Sequence, residues 1–299
     1  MADIKLFNIK GTVKELQSGT VNLEKELQTV IEKNMNIFFG VIFLASEYRT
    51  TDGGRMDSIG IDENNSPVIF EYKRSVNESV INQGLFYLNW LLDHKDSFKV
   101  LVIEKLGLKK ADDIDWSMPR VVCIANDFTK YDESAIKQMN RNISLIRYRK
   151  FEGELLMFEQ VNESTADSIP LSLSDSPQKT KHIDKTFDER YSESSESIKN
   201  LYDDISKFIM TLGDDVSENR MKLYVAFKKI KNFACAELAK DKVILYLKLD
   251  PTKFQFEEGF SRNVKDIGHW GTGDIEITIK NNDDFQKAQG LIEKAYTEN

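Results

Sequence analysis

Apolar positions along this chain fall into blocks of two periods, and those blocks predict its elements. Residues 21 to 33 place Leu23, Leu27, Val30 and Ile31 at helical spacing, with Thr20 or Asn22 as the cap. Residues 37 to 48 open on the most apolar run of the chain, Ile37 to Ala45, and read as a buried strand. Two further strands, 54 to 62 and 67 to 73, are separated by Asp62-Glu63-Asn64-Asn65-Ser66, a turn signal that folds one back on the other. Residues 76 to 94 are helical again, carrying Val80, Ile81, Leu85, Leu88, Leu91 and Leu92. Residues 98 to 103 and 121 to 125 are predicted as short strands, 133 to 140 as a helix, and 143 to 149 and 155 to 161 as closing strands. Helix, three strands, helix, strand is the order of a mixed α/β fold.

The pattern breaks at residues 163 to 197, which are Ser-rich, contain Pro and carry few apolar side chains; this stretch reads as a flexible linker. It separates a first domain, residues 1 to 162, from a second, residues 198 to 299. In the second, 198 to 212 is an amphipathic helix, 222 to 227, 233 to 237 and 243 to 249 are strands, and 284 to 296 is a closing helix, so an α+β fold is expected. Its unusual part is Arg262 followed by Gly268-His269-Trp270-Gly271-Thr272-Gly273. Glycines around a His–Trp pair predict tight turns that either present an aromatic surface to a planar ligand or fold the Trp into the core. Arg262, His269 and Trp270 are therefore the accessory-domain ligand candidates.

Composition narrows the setting. With 299 residues, 40% hydrophobic and 30% charged, the chain has length for two globular domains. The N-terminus lacks the basic start and long apolar core of a signal peptide, and the run from Ile37 is too short to span a bilayer. A cytoplasmic protein with no membrane partner is expected. Cys123 and Cys235 lie far apart in apolar segments and read as core residues, not as a disulfide or half of a zinc site. A net charge of −8 argues against non-selective nucleic-acid binding and leaves a local basic stripe beside a bound metal as the alternative.

The chemistry concentrates in Gly54-Arg55-Met56-Asp57 and Glu71-Tyr72-Lys73. Asp57 stands fourteen positions before Glu71, and a hairpin between the two strands can bring them together. Glu71 and Lys73, at i and i+2, share one face of a strand. Two carboxylates and an ammonium on one face suit a divalent cation and the water it activates, the apparatus of phosphodiester cleavage. Mg²⁺ or Mn²⁺ would be held through oxygen by Asp57, Glu71 and the Tyr72 carbonyl, with Lys73 orienting the attacking water. Charged residues on the solvent face of an edge hairpin give the same short pattern. A further acid could come from the first helix, where Glu24 and Glu26 flank the apolar stripe by about 75° on either side, so periodicity does not choose between them. Arg55 could contact phosphate or pair with Glu71, and Arg147, Arg149 and Lys150 form either a backbone-contact stripe or a solvated edge. His94 complements the dipole at a helix end, and Trp90 reads as core.

In this order the motifs resemble the PD-(D/E)XK nuclease superfamily, with its restriction-endonuclease-like αβββαβ core, and within it the NucS-like and RecB-like members. Met56 stands where the motif name has Pro, a common departure. The resemblance implies Glu24, within Glu24-Lys25-Glu26-Leu27, as the helix-borne acid, and places Gln83 and Tyr87 in a Q-x-x-x-Y motif that touches the substrate backbone or braces the acids. It implies an endonuclease dependent on Mg²⁺ or Mn²⁺, acting on DNA before RNA, in anti-phage defence or DNA repair, with a homodimer left open. The second domain resembles an uncharacterised module found after nuclease-like domains in bacterial proteins. The competing expectations are a non-catalytic nucleic-acid-binding or regulatory protein on the same scaffold, and a second domain that binds a small ligand and gates the first.

Overall fold

The computed structural model describes residues 4–19, 24–73, 79–152, 154–164 and 185–299. Expected caps Thr20 and Asn22, with Leu23 and the start of the second helix at Val76, lie outside the described residues. The chain divides into two compact units, Met1–Asp167 and Ser168–Asn299, each with its own buried apolar cluster.

The first unit begins with β1 (Leu6–Asn8), β2 (Lys14–Leu16) and β3 (Ser18–Gly19). Then come α1 (Glu24–Phe39), β4 (Val41–Arg49), β5 (Arg55–Asp62), β6 (Pro67–Lys73), α2 (Ser79–Asp93), α3 (Lys95–Leu106) and α4 (Leu108–Asp112). It closes with β7 (Arg120–Ala125), α5 (Lys130–Ile136), β8 (Asn142–Phe151) and β9 (Leu155–Ser164). The main sheet runs β3-β8-β7-β6-β5-β4, with β9 paired to β8. Strands β4, β5 and β6 are an antiparallel meander, whereas β6, β7 and β8 run parallel, which is why helices occupy the connections between them. Strand β6 is buried at every position but Lys73, as expected of a central strand covered on both faces. On one face Ile59, Ile69, Val121 and Leu145 pack with Val80, Leu88 and Leu91 of α2, and Phe98 and Val102 of α3. On the other, Phe39 of α1 meets Phe70 and Phe158.

Two expectations are corrected here. Residues 37 to 39 belong to α1, not to the following strand, and the helix ends at Gly40, whose φ of +64° and N–H bond to the Asn36 carbonyl close it. Residues 98 to 103 lie in helix α3, with Phe98, Leu101 and Val102 buried and Val100 and Ile103 exposed. In both cases a short apolar run carried no period of its own, and only the neighbouring surface decided its conformation.

The second unit holds α6 (Phe187–Glu193), α7 (Glu196–Met210), β10 (Ser217–Arg220), β11 (Val225–Lys228), β12 (Asn232–Ala239), β13 (Lys242–Leu247), β14 (Ser261–Asn263), β15 (Ile275–Ile279) and α8 (Asn282–Glu298). Its sheet is antiparallel in the order β10-β11-β12-β13-β15-β14. Val243, Leu245, Leu247, Ile275, Ile277 and Ile279 face the helices α7 and α8. Helix α6 falls inside the expected linker: Thr186 and Glu189 form a capping box at its start, and Phe187 enters the core. Among the described residues no helix is long and apolar enough to cross a membrane.

Candidate active site

Register places the two acids. In the β5–β6 pair Ser58 lies opposite Phe70 and Ile59 opposite Ile69, so the next step brings Asp57 beside Glu71. The Asp57 N–H donates to Glu71 Oε1 at 3.2 Å, and the Tyr72 N–H donates to Asp57 Oδ2 at 3.0 Å. A strand residue's N–H and C=O point to the same neighbour, so the Tyr72 carbonyl faces the side on which Asp57 lies. Glu71 is 2% exposed. Burial, then the charge of Asp57, pushes its carboxyl up to about 9. Burial also raises Asp57, against the opposing pull of the Tyr72 N–H and Lys73. At neutral pH the pair holds a proton, because a buried carboxyl this close to a second, half-buried one does not ionise without a cation.

Lys73, on the same face as Glu71, lies 3.7 Å from Glu24 Oε1, so α1 delivers Glu24 to the site. Glu26, the other choice that periodicity left, is tied to Lys150 at 3.1 Å. Among the described residues, no group of three or more His, Cys, Asp or Glu side chains gathers to hold a metal ion; the acids form a pair, with Glu24 beside Lys73.

Beneath the pair lies a support that the sequence reading missed. Gln28, one turn after Glu24 and 4% exposed, donates through Nε2 to the Asp57 carbonyl at 2.8 Å, Glu32 Oε1 at 2.9 Å and Ser46 Oγ at 3.2 Å. Ser58 Oγ donates to the same Glu32 oxygen at 2.6 Å, and the Tyr72 hydroxyl donates to Ser58 at 3.1 Å. Burial raises the Tyr72 phenol far above its usual range and keeps it a donor. The available signal was a glutamine between Leu27 and Ile31, on the buried stripe of an amphipathic helix. A buried amide must find partners there.

Arg55 does not pair with Glu71. Its Nε lies 2.7 Å from Glu47 Oε2, while Lys25 reaches Glu47 Oε1 at 2.8 Å and, chiefly by that hydrogen bond, holds the Glu47 carboxyl below its usual range. Tyr87 is 8% exposed, and its hydroxyl accepts from the Arg55 N–H at 3.3 Å. It therefore braces the start of β5; Gln83, one turn earlier, keeps a buried Oε1 without a hydrogen-bond partner. Arg147 is buried between Asp127 and Glu159, at 2.8 and 2.7 Å, so no basic stripe runs along β8 there. His94 stacks on Trp90 at 4.3 Å, and Trp90 is core, as expected.

In the second unit Trp270 is 45% exposed, so it presents a surface and does not plug the core. The His269 ring covers Tyr246 instead, stacked at 4.2 Å. Arg262 is held by Glu276 through Nε at 2.7 Å and Nη2 at 2.5 Å. Both cysteines are free and buried, as expected.

Residues 187–299 match the family described as "Domain of unknown function (DUF5655)". Among solved structures, the chain is similar to a repair endonuclease from Pyrococcus abyssi, at 18% identity and a TM-score of 0.30 over 43% of this chain and 49% of that one. It is also similar to the protein in an EndoMS-dsDNA2 complex, at 17% identity and a TM-score of 0.28 over 43% and 47%. The chain thus spans about half the length of each of these two. Over its whole length it resembles an uncharacterized protein of Haemophilus influenzae, 30% identical across 98% of this chain and 99% of the relative, and it belongs to the same family as that protein.

Proposed function

We propose that the first unit is a metal-dependent endonuclease that hydrolyses phosphodiester bonds. The observation that carries this is the pairing of half-buried Asp57 with buried Glu71, which shares a strand face with Lys73 and whose charge burial holds off to about pH 9. Such a pair fits Mg²⁺ or Mn²⁺: the donors are hard oxygens, and a dication at that point would relieve the repulsion that keeps Glu71 protonated. Asp57, Glu71 and the Tyr72 carbonyl would hold it, with Glu24 at the margin. A bound ion of this kind supplies a water of lowered pKa and neutralises charge building on the phosphate.

The chain's own residues do the rest. Lys73, restrained by Glu24, donates to a phosphate oxygen or to the attacking water and keeps both near the acids. Gln28 fixes the Asp57 carbonyl, and Tyr87 fixes the Arg55 N–H, so the strand end bearing Asp57 is pinned from both sides. By the motif resemblance, Gln83 is the candidate contact to substrate. DNA before RNA, defence or repair as setting, and a homodimer follow from the motif resemblance alone.

The test is cleavage of circular, linear and single-stranded DNA and of RNA in Mg²⁺ or Mn²⁺. Activity should vanish in EDTA and fall roughly a hundredfold or more in Lys73→Ala and Asp57→Asn. Cleavage that survives either variant, or EDTA, would sink the mechanism. Metal-independent binding with no turnover would instead support a non-catalytic nucleic-acid-binding protein.

A further inference from the structure

The face of the second sheet turned away from α7 and α8 is charged. Because Val243, Leu245, Ile277 and Ile279 point to the helices, their neighbours Lys242, Ile244, Glu276, Thr278 and Lys280 point the other way. Val243 lies opposite Ile279, and the next step of that register sets Lys242 across from Lys280. A cavity of about 330 Å³ opens there, lined by both lysines, Gly259, Ser261, Arg262 and Thr278. Like charges opposite one another on neighbouring strands are unfavourable unless something neutralises them. Neither lysine ammonium has an ion-pair partner among the described residues, in a chain whose net charge is −8. Glu276, the acid in the cavity wall, is already engaged by Arg262. Arg262 gives Glu276 two of its five N–H donors, and with its side chain 61% exposed it turns the others outward.

An aromatic platform adjoins this cavity. Tyr246 pairs with Glu276 and Glu276 with Arg262 across the strands, and His269 stacks on Tyr246. The next residue, Trp270, stays exposed while its N–H bonds the buried Glu237. Positive φ at Gly271 and Gly273 lets the backbone lie against Cys235 and Leu247, which fixes the loop that carries the indole. Cations and an exposed ring on one face are the two halves of single-strand recognition: phosphate held by charge and a base held by stacking.

We infer that this face of the second unit binds single-stranded nucleic acid, with phosphate oxygens among Lys242, Lys280 and Arg262 and a base on Trp270. The inference stands apart from cleavage, and its test is run on the full chain in EDTA. A fluorescein-labelled oligo(dT) of about fifteen nucleotides is titrated by anisotropy across a salt series. Lys242→Gln with Lys280→Gln should weaken binding roughly tenfold and flatten the slope of log K against log salt by about 1.4, the share of two phosphate contacts. Trp270→Ala should weaken binding by a similar factor with the slope unchanged. Lys207→Gln, on the helix-covered side, should bind as the unaltered protein does. Equal binding by all the variants overturns the inference, as does an equal loss in Lys207→Gln. Displacement of the oligonucleotide by micromolar pyrophosphate, with Trp270→Ala silent, would reassign the cavity to small phosphates. Both arms read out even if the protein cleaves nothing.

Discussion

Glu71 is where the chemistry of a single side chain sets a property of the whole fold. Its carboxyl titrates near 4.5 in an unfolded chain and near 9 in the folded one, first because it is buried and then because Asp57 is its neighbour. Between those values the folded state binds the extra proton, so stability must fall as pH rises through the window, by up to about 1.4 kcal/mol per pH unit. Asp57, also raised, adds in the same direction. Urea unfolding at pH 5, 7 and 9 in EDTA should show this decline. Glu71→Gln should remove most of it, and Mn²⁺ should flatten it by taking the proton's place. Stability that stays level across the range in EDTA would contradict the buried-pair account. Of this site, Asp57, Glu71 and Lys73 were legible in the sequence because residue type and strand period suffice to name them. Gln28 was not, since an amide on an apolar stripe reads as a flaw until two strands distant in sequence bring it Ser46 and the Asp57 carbonyl, beside Glu32 of its own helix.

At the scale of elements, the strand that carries Asp57 is held by what lies behind it. A Cβ on Gly54 would sit 2.7 Å from both Thr50 Oγ1 and Tyr87 Cε1, because α2 packs its Tyr87 ring against the turn that precedes β5. Gly54→Ala should therefore cost about 1–3 kcal/mol by overpacking. It should also reduce cleavage more than a mutation of equal cost far from β5, since the displaced Tyr87 releases the Arg55 N–H. Pairing it with Tyr87→Ala should recover much of the stability but not the activity; recovery of both would mean that Tyr87 fills space and nothing more. Helices with a clear period are legible in the sequence, among them Leu27 and Ile31 of α1 and Val80, Leu88 and Leu91 of α2, all buried. Residues 37 to 39 and 98 to 103 are ambiguous in the sequence because β-branched and aromatic runs fit either element. Gly40, with its positive φ, and the face that buries Phe98 and Val102 settled them.

At the scale of the molecule, two apolar clusters with no shared residue predict two folding units. Helix α6 sits with the second, because Phe187 belongs to that core and Thr186 caps its first turn. A fragment of residues 185–299 should unfold cooperatively in calorimetry, whereas one starting at 198 should lose a few degrees of Tm or more, since it gives up a buried Phe. Equal Tm for the two fragments would place α6 outside the core.

The sequence by itself determined the periodic elements, the mixed α/β and α+β character of the two units, and the acid pair with its lysine, because each depends on residue type and short-range spacing. Only the tertiary structure decided that Glu24, not Glu26, reaches Lys73, that Arg55 turns to Glu47, that Arg147 is buried, and that Trp270 faces outward. Those outcomes turn on which of several nearby charges or surfaces a side chain meets. Strand register and helix packing settle that choice across tens of residues, beyond the reach of local spacing.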